Sequence, residues 1–192
     1  MPIPLGVLAV AGAGGGAAAN AYELLESVIL TGTQASISFS DLNTAYSSTY
    51  QHLQIRATMR GNANQNTTQI DCWFNGDNAG TSYAYHWLRA QGASLASSSG
   101  TSQSRILLQN VCPANTATAN IYGALVMDIL DPFETTKNKT IRSLYGNLNS
   151  DVVYLHSAFR NNTEALTSIT FDPQTNDFAS GTRFSLYGMR SS

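Results

Sequence analysis

HLQIRATMR, residues 52–60, decides the fold. Leu53, Ile55, Ala57 and Met59 alternate with His52, Gln54, Arg56, Thr58 and Arg60. A period of two puts the first set on one face of a β-strand and the second on the other, one dry and one wet. RFSLYGM, residues 183–189, alternates in the same way. Nearly every run after residue 20 shares that period. Strands are expected at Glu23–Leu30, Ala35–Ser40, His52–Arg60, Gln69–Asn75, Ser82–Arg89, Arg105–Asn110, Asn120–Ile129, Lys139–Asn147, Val152–Arg160, Leu166–Asp172 and Arg183–Met189.

The breaks between these runs carry turn chemistry: GNANQN (61–66), NGDNAG (75–80), GASLASSSGTSQ (92–103), PANTAT (113–118), DPFETTKN (131–138), NNTE (161–164) and DPQTNDFASG (172–181). Short strands at this spacing predict an all-β, antiparallel sandwich or barrel. DLNTAYSSTYQ, residues 41–51, has room for one helical turn. No repeat of solenoid length is present, which argues against a solenoid or propeller.

Only 11% of the 192 residues are charged and the net charge is -2. A nucleic-acid footprint would be clearly basic, so no nucleic-acid partner is expected. With 43% hydrophobic residues the chain can bury a core. Cys72 and Cys112 form no C-x-x-C pair and read as small buried hydrophobes, although their spacing leaves a disulfide open.

Before the sandwich stands MPIPLGVLAVAGAGGGAAAN, residues 1–20. Gly12-Ala13-Gly14-Gly15-Gly16-Ala17 fits G-x-G-x-x-A, but a dinucleotide site needs a helix after it and a βαβ unit around it. Three consecutive glycines where the helix would start, followed by hairpin spacing, exclude that reading. A secretory leader would open with positive charge, and the first basic residue is Arg56. Two prolines and five glycines in Met1 to Ala19 argue against a membrane span. The segment reads as an extended apolar arm, costly in water unless something covers it. Pro2, Ile3, Pro4, Leu5, Val7, Leu8 and Val10 are its expected assembly anchor. The domain reading is therefore an arm over 1–20 and a sandwich over 21–192.

Little here points to catalysis, and no cofactor or metal is expected. His52, His86 and His156 have no metal-ligand spacing to one another or to Cys or Asp. Asp128 and Asp131 are three apart, but Asp131-Pro132 and Asp172-Pro173 both read as turn punctuation. NGD at 75–77 reads as a hairpin turn in preference to a calcium loop. There is no G-x-S-x-G elbow and no P-loop. The aromatic pattern is more suggestive. Tyr83, Tyr85 and Trp87 share one face of one strand in TSYAYHWLR, as a packed sheet face or a contact platform for a subunit or a glycan. Arg56 and Arg60 are expected to meet acidic groups on a neighbour or solvent.

The MPIPLG start with its Gly/Ala tract, then YELLESVILTGTQASISFSDL, YQHLQIRATMRG, FNGDNAGTSYAYHWL, DILDPFETTKNKTIRSLYG and FASGTRFSLYGM, resembles the small β-sandwich structural proteins of tailed bacteriophages over nearly the whole chain. That resemblance implies a jelly-roll-like domain on the virion surface, expected as a homotrimer with other virion proteins as partners. It implies a capsid decoration (cement) protein touching the major capsid protein, or a tail fibre or receptor-binding protein touching tail proteins and host glycans. It brings no catalytic residues. The aromatic face and the Ser/Gly-rich stretch at 92–104 are what the adhesion reading would use.

Overall fold

The computed structural model describes residues 22–190, and they form two antiparallel sheets. In chain order the elements are β1 (Tyr22–Ile29), β2 (Ile37–Phe39), the one-turn helix α1 (Leu42–Tyr46), β3 (His52–Met59), β4 (Thr67–Phe74), β5 (Tyr83–Gln91), β6 (Ser94–Gln103), β7 (Ile106–Pro113), β8 (Gly123–Leu130), β9 (Lys139–Asn147), β10 (Val152–Arg160), β11 (Ile169–Pro173) and β12 (Arg183–Met189). A 3-10 turn, Leu148–Ser150, joins β9 to β10.

The large sheet has the order β1-β12-β3-β8-β9-β10-β5-β6 and the small one β2-β11-β4-β7. Setting aside β1, β12 and the β8–β9 hairpin leaves eight strands. Renumbered along the chain, they run 1-8-3-6 in the small sheet and 2-7-4-5 in the large one. That is the double Greek key of a jelly roll. The hairpin is wedged between the second and seventh strands, and β1 and β12 extend the large sheet beyond β3.

Alternation in the sequence becomes the two faces of each strand. On β3, Leu53, Ile55, Ala57 and Met59 are buried, as their period requires. They meet Ile37, Phe39, Ile70, Cys72, Phe74, Ile169 and Phe171 of the small sheet in one continuous core. Phe171 and Phe178 both pack on Phe184, with ring centroids 4.8 and 5.4 Å apart.

All eleven expected strands form, β9, β10 and β12 with the expected bounds and the others with shifted ends. The stretch 92–103, expected as a loop, contains a twelfth strand. β6 pairs with β5 from Gln91↔Ser94 to Tyr83↔Gln103 across a two-residue turn that Gly92 permits at φ +52°. At the sheet edge most of its side chains are exposed, so its Ser and Gly residues carry no dry phase to read.

NGD does turn the chain, with Asn75 and Gly76 at φ 55° and 71° and the Asp77 N–H donating to the Phe74 carbonyl. It is not a hairpin, because β4 and β5 belong to different sheets. The Asn75 side chain instead holds the 165–168 segment, donating to the Ala165 carbonyl and accepting from the Thr167 and Ser168 N–H groups. Asp131-Pro132 is a turn, with Asp131 at φ 46°. Asp172-Pro173 is not; both residues belong to β11.

The expectation for Arg60 also changes. Its guanidinium donates to the carbonyls of Ala114, Ala117, Thr118 and Ile121 and so organises the β7–β8 connection. Arg56 does lie on the wet face. There it covers the rings of Tyr187 and Tyr22, at 4.8 and 5.7 Å, and donates to Gln54 rather than to an acid.

Candidate functional site

The anchor residues Pro2, Ile3, Pro4, Leu5, Val7, Leu8 and Val10 lie outside the described residues. Tyr83, Tyr85 and Trp87 do share one face of β5, but it turns into the sandwich. Tyr83 is 1% exposed and Trp87 7%. The Tyr83 hydroxyl accepts from the Phe74 N–H at 2.9 Å, and Trp87 meets Tyr154 edge-on. Tyr85 stacks on His156 at 5.5 Å. Tyr83 and Trp87 are therefore core residues, and a partner or glycan finds no platform in them.

The titratable residues hold the sheets together. Asp128 accepts from Gln54 and Arg142, each at 2.7 Å. Partial burial opposes its ionisation, but these two donors hold its carboxyl below the usual range. The ammonium of Lys137 does the same for Asp131, which also faces His52. Neither aspartate is a ready proton donor. His156 is 1% exposed, and burial, with His86 nearby, lowers its pKa to about 4. Cys72 and Cys112 are buried and unbonded, and burial pushes both thiols up. Among the described residues no group of three His, Cys, Asp or Glu side chains is arranged to hold a metal. No helix among them is long and apolar enough to cross a membrane.

The two outer faces differ in chemistry. On the large sheet, Val126, Leu144, Leu155 and Leu88 are direct neighbours on β8, β9, β10 and β5. They form one row across four strands, and all are between 40% and 55% exposed. The adjacent row is Ala124, Gly146, Val153, Ala90 and, on β6, Leu95 at 79% exposure. Gly146 has no side chain, and a Cβ there would run into the backbone of Val152. It therefore floors a shallow apolar trough walled by Tyr122, Val126, Leu144, Leu148 and Val153.

This face was missed because the period-two reading looked for one dry phase. In GALVMDIL both phases are apolar but for Asp128, close to the signature of a strand covered on both sides. β8 has only its inner side covered by its own chain. On the small sheet the outward residues are Ser38, Gln69, Asp71, Trp73, Thr170, Asp172 and, on β7, Leu107 and Gln109, a mostly polar surface with one aromatic ring and one leucine.

Comparison with protein-family models, with curated proteins and with solved structures finds no match to this chain.

Proposed function

We propose that the protein is a non-enzymatic structural subunit of a tailed-bacteriophage particle, a decoration protein that stabilises the capsid through subunit contacts. One observation carries this reading. The outer face of the large sheet is a contiguous apolar surface that its own described residues leave in water. Contiguous patches of this kind mark contacts with other protein. Their cost in water falls when a neighbour covers them.

The occupant is the apolar arm of a neighbouring copy. Its anchor residues Pro2, Ile3, Pro4, Leu5, Val7, Leu8 and Val10 carry no charge, which suits the trough at Gly146, whose lining is mainly apolar with Asp151 as its one charged residue. The arm also starts from the right side. Tyr22 pairs with Met189 on the outer face and lies against Arg56 there. Twenty extended residues span up to about 70 Å. Eight strands are only about 34 Å wide, so the arm can leave its own sheet for the next. Exchange of arms between copies closes in a symmetric ring, a homotrimer in this reading, seated on the major capsid protein. The alternative, a tail adhesin, loses Tyr83 and Trp87 to the core and is left with the half-buried Tyr85 and the exposed stretch of β6.

Labelling the protein on intact particles tests this. Many copies spread over the shell are expected; confinement to the tail, or absence from the particle, overturns it. A double variant, Leu144→Asp with Leu155→Asp, should fold as a monomer and fail to join particles. Normal incorporation of that variant would remove the apolar face from the argument.

A further inference from the structure

The small sheet's outer face carries a second feature, independent of virion membership. Asp71 on β4 and Asp172 on β11 are direct cross-strand partners. Like charges placed opposite each other weaken a sheet, so the fold gains nothing from the pair. Trp73 stands two residues along β4 on the same face, half-buried. With Asn78, Arg105 and Gln174 these residues line one open cleft.

The bonding within the cleft is incomplete in a particular way. Asp71 is braced: Arg105 Nε forms an ion pair with it at 2.9 Å, and Gln174 Nε2 donates to it at 2.8 Å. Among the described residues Asp172 has no such partner. Burial, with Asp177 nearby, raises its pKa, and no donor offsets this. Arg105 uses Nε on Asp71 and reaches Ser104 only at 3.5 Å through Nη1, which leaves Nη2 free to donate. Gln174 gives its amide N–H to Asp71 and keeps its carbonyl oxygen. The cleft thus presents a carboxylate acceptor, a guanidinium donor, an amide acceptor and an aromatic ring together.

We infer that this cleft binds a neutral sugar ring. A hexose has hydroxyls on its rim that donate and accept at once, and a face of C–H groups. The rim suits Asp172, Arg105 and Gln174, and the C–H face suits the electron-rich face of the Trp73 indole. Arg105 within the cleft disfavours a cation, and two carboxylates disfavour an anion. The sugar class follows from that balance.

The test uses the full chain and a panel of glucose, galactose, mannose, N-acetylglucosamine and N-acetylgalactosamine, with choline and sialic acid as charged controls. Saturation-transfer NMR reads contact, and tryptophan fluorescence reads affinity. At least one neutral sugar should bind with roughly millimolar affinity and perturb Trp73, while the buried Trp87 stays silent. Asp172→Asn keeps the shape of the side chain and removes its charge. It should weaken binding by about tenfold, since hydrogen bonds to a charged group are the stronger kind. Trp73→Ala should abolish it. No transfer to any neutral sugar overturns the inference, as does preference for choline or sialic acid. Unchanged binding in Asp172→Asn would equally remove the cleft from consideration. Asp172→Asn is nearly isosteric, so it also covers the case in which Trp73→Ala fails to fold.

Discussion

His156 shows how a single side chain sets a condition on the whole fold. Its ring is stacked on Tyr85 and tilted against Tyr145, and neither ring nitrogen has a hydrogen-bond partner among the described residues. The Nε1 of Trp87 and the Oγ of Ser143, its neighbours on β5 and β9, are also unpartnered. The folded pKa, about 4, lies below the ordinary 6.5. As pH falls through 6.5 the unfolded chain takes up a proton that the folded chain refuses, so stability is present above that pH and is lost down to about 4. The full loss is about 3 kcal/mol. Asp71 and Asp172, whose folded pKa values are raised, act in the opposite direction at lower pH. Urea unfolding of the wild type and His156→Phe at a series of pH values isolates the histidine. The gap between them should widen in favour of the variant as pH drops. A constant gap would mean that His156 is solvated. None of this was legible beforehand: His156 read as an ordinary strand histidine, and its isolation comes from three strands meeting.

At the scale of elements, the sequence was readable wherever one phase of a strand was dry. β3 and β12 are the clear cases, and their inward residues are the ones that alternation selects. It was unreadable where a strand has no dry phase, as in β6. It misled where two phases were apolar, as in β8, or where a turn signal sat inside a strand, as at Asp172-Pro173. Close crossings were also silent. Gly123 opens β8 where that strand passes β7, and a Cβ there would collide with the Val111 carbonyl. Gly123→Ala should therefore cost about 1–3 kcal/mol, the range for overpacking a filled site. Chemical denaturation measures it. A neutral result would show that β7 can retreat without loss.

For the molecule as a whole, the all-β sandwich architecture was legible, but neither candidate surface was. The aromatic cluster at Tyr83, Tyr85 and Trp87 drew attention because aromatics at period two look alike whether they face a core or a ligand. Trp73, in QIDCWF, had the same period with aspartate beside it, and only the sheet placement reveals that it faces out. Removing residues 2–20 tests the division of the chain. The remaining protein should unfold at the same urea concentration as the full chain and should no longer join particles. Loss of cooperative unfolding would make the arm part of the sandwich.

The pairing of β1 with β12 has a mechanical consequence. Tyr22 and Met189 sit side by side at one end of an antiparallel pair, with six further residue pairs running away from them. Tension between the two chain ends would open those pairs one after another, like a zip. Tension on the arm, with the sandwich gripped through its sheet faces, pulls β1 lengthwise and strains all the pairs at once. The protein would then be stiff when tugged through β1 and weak when stretched end to end.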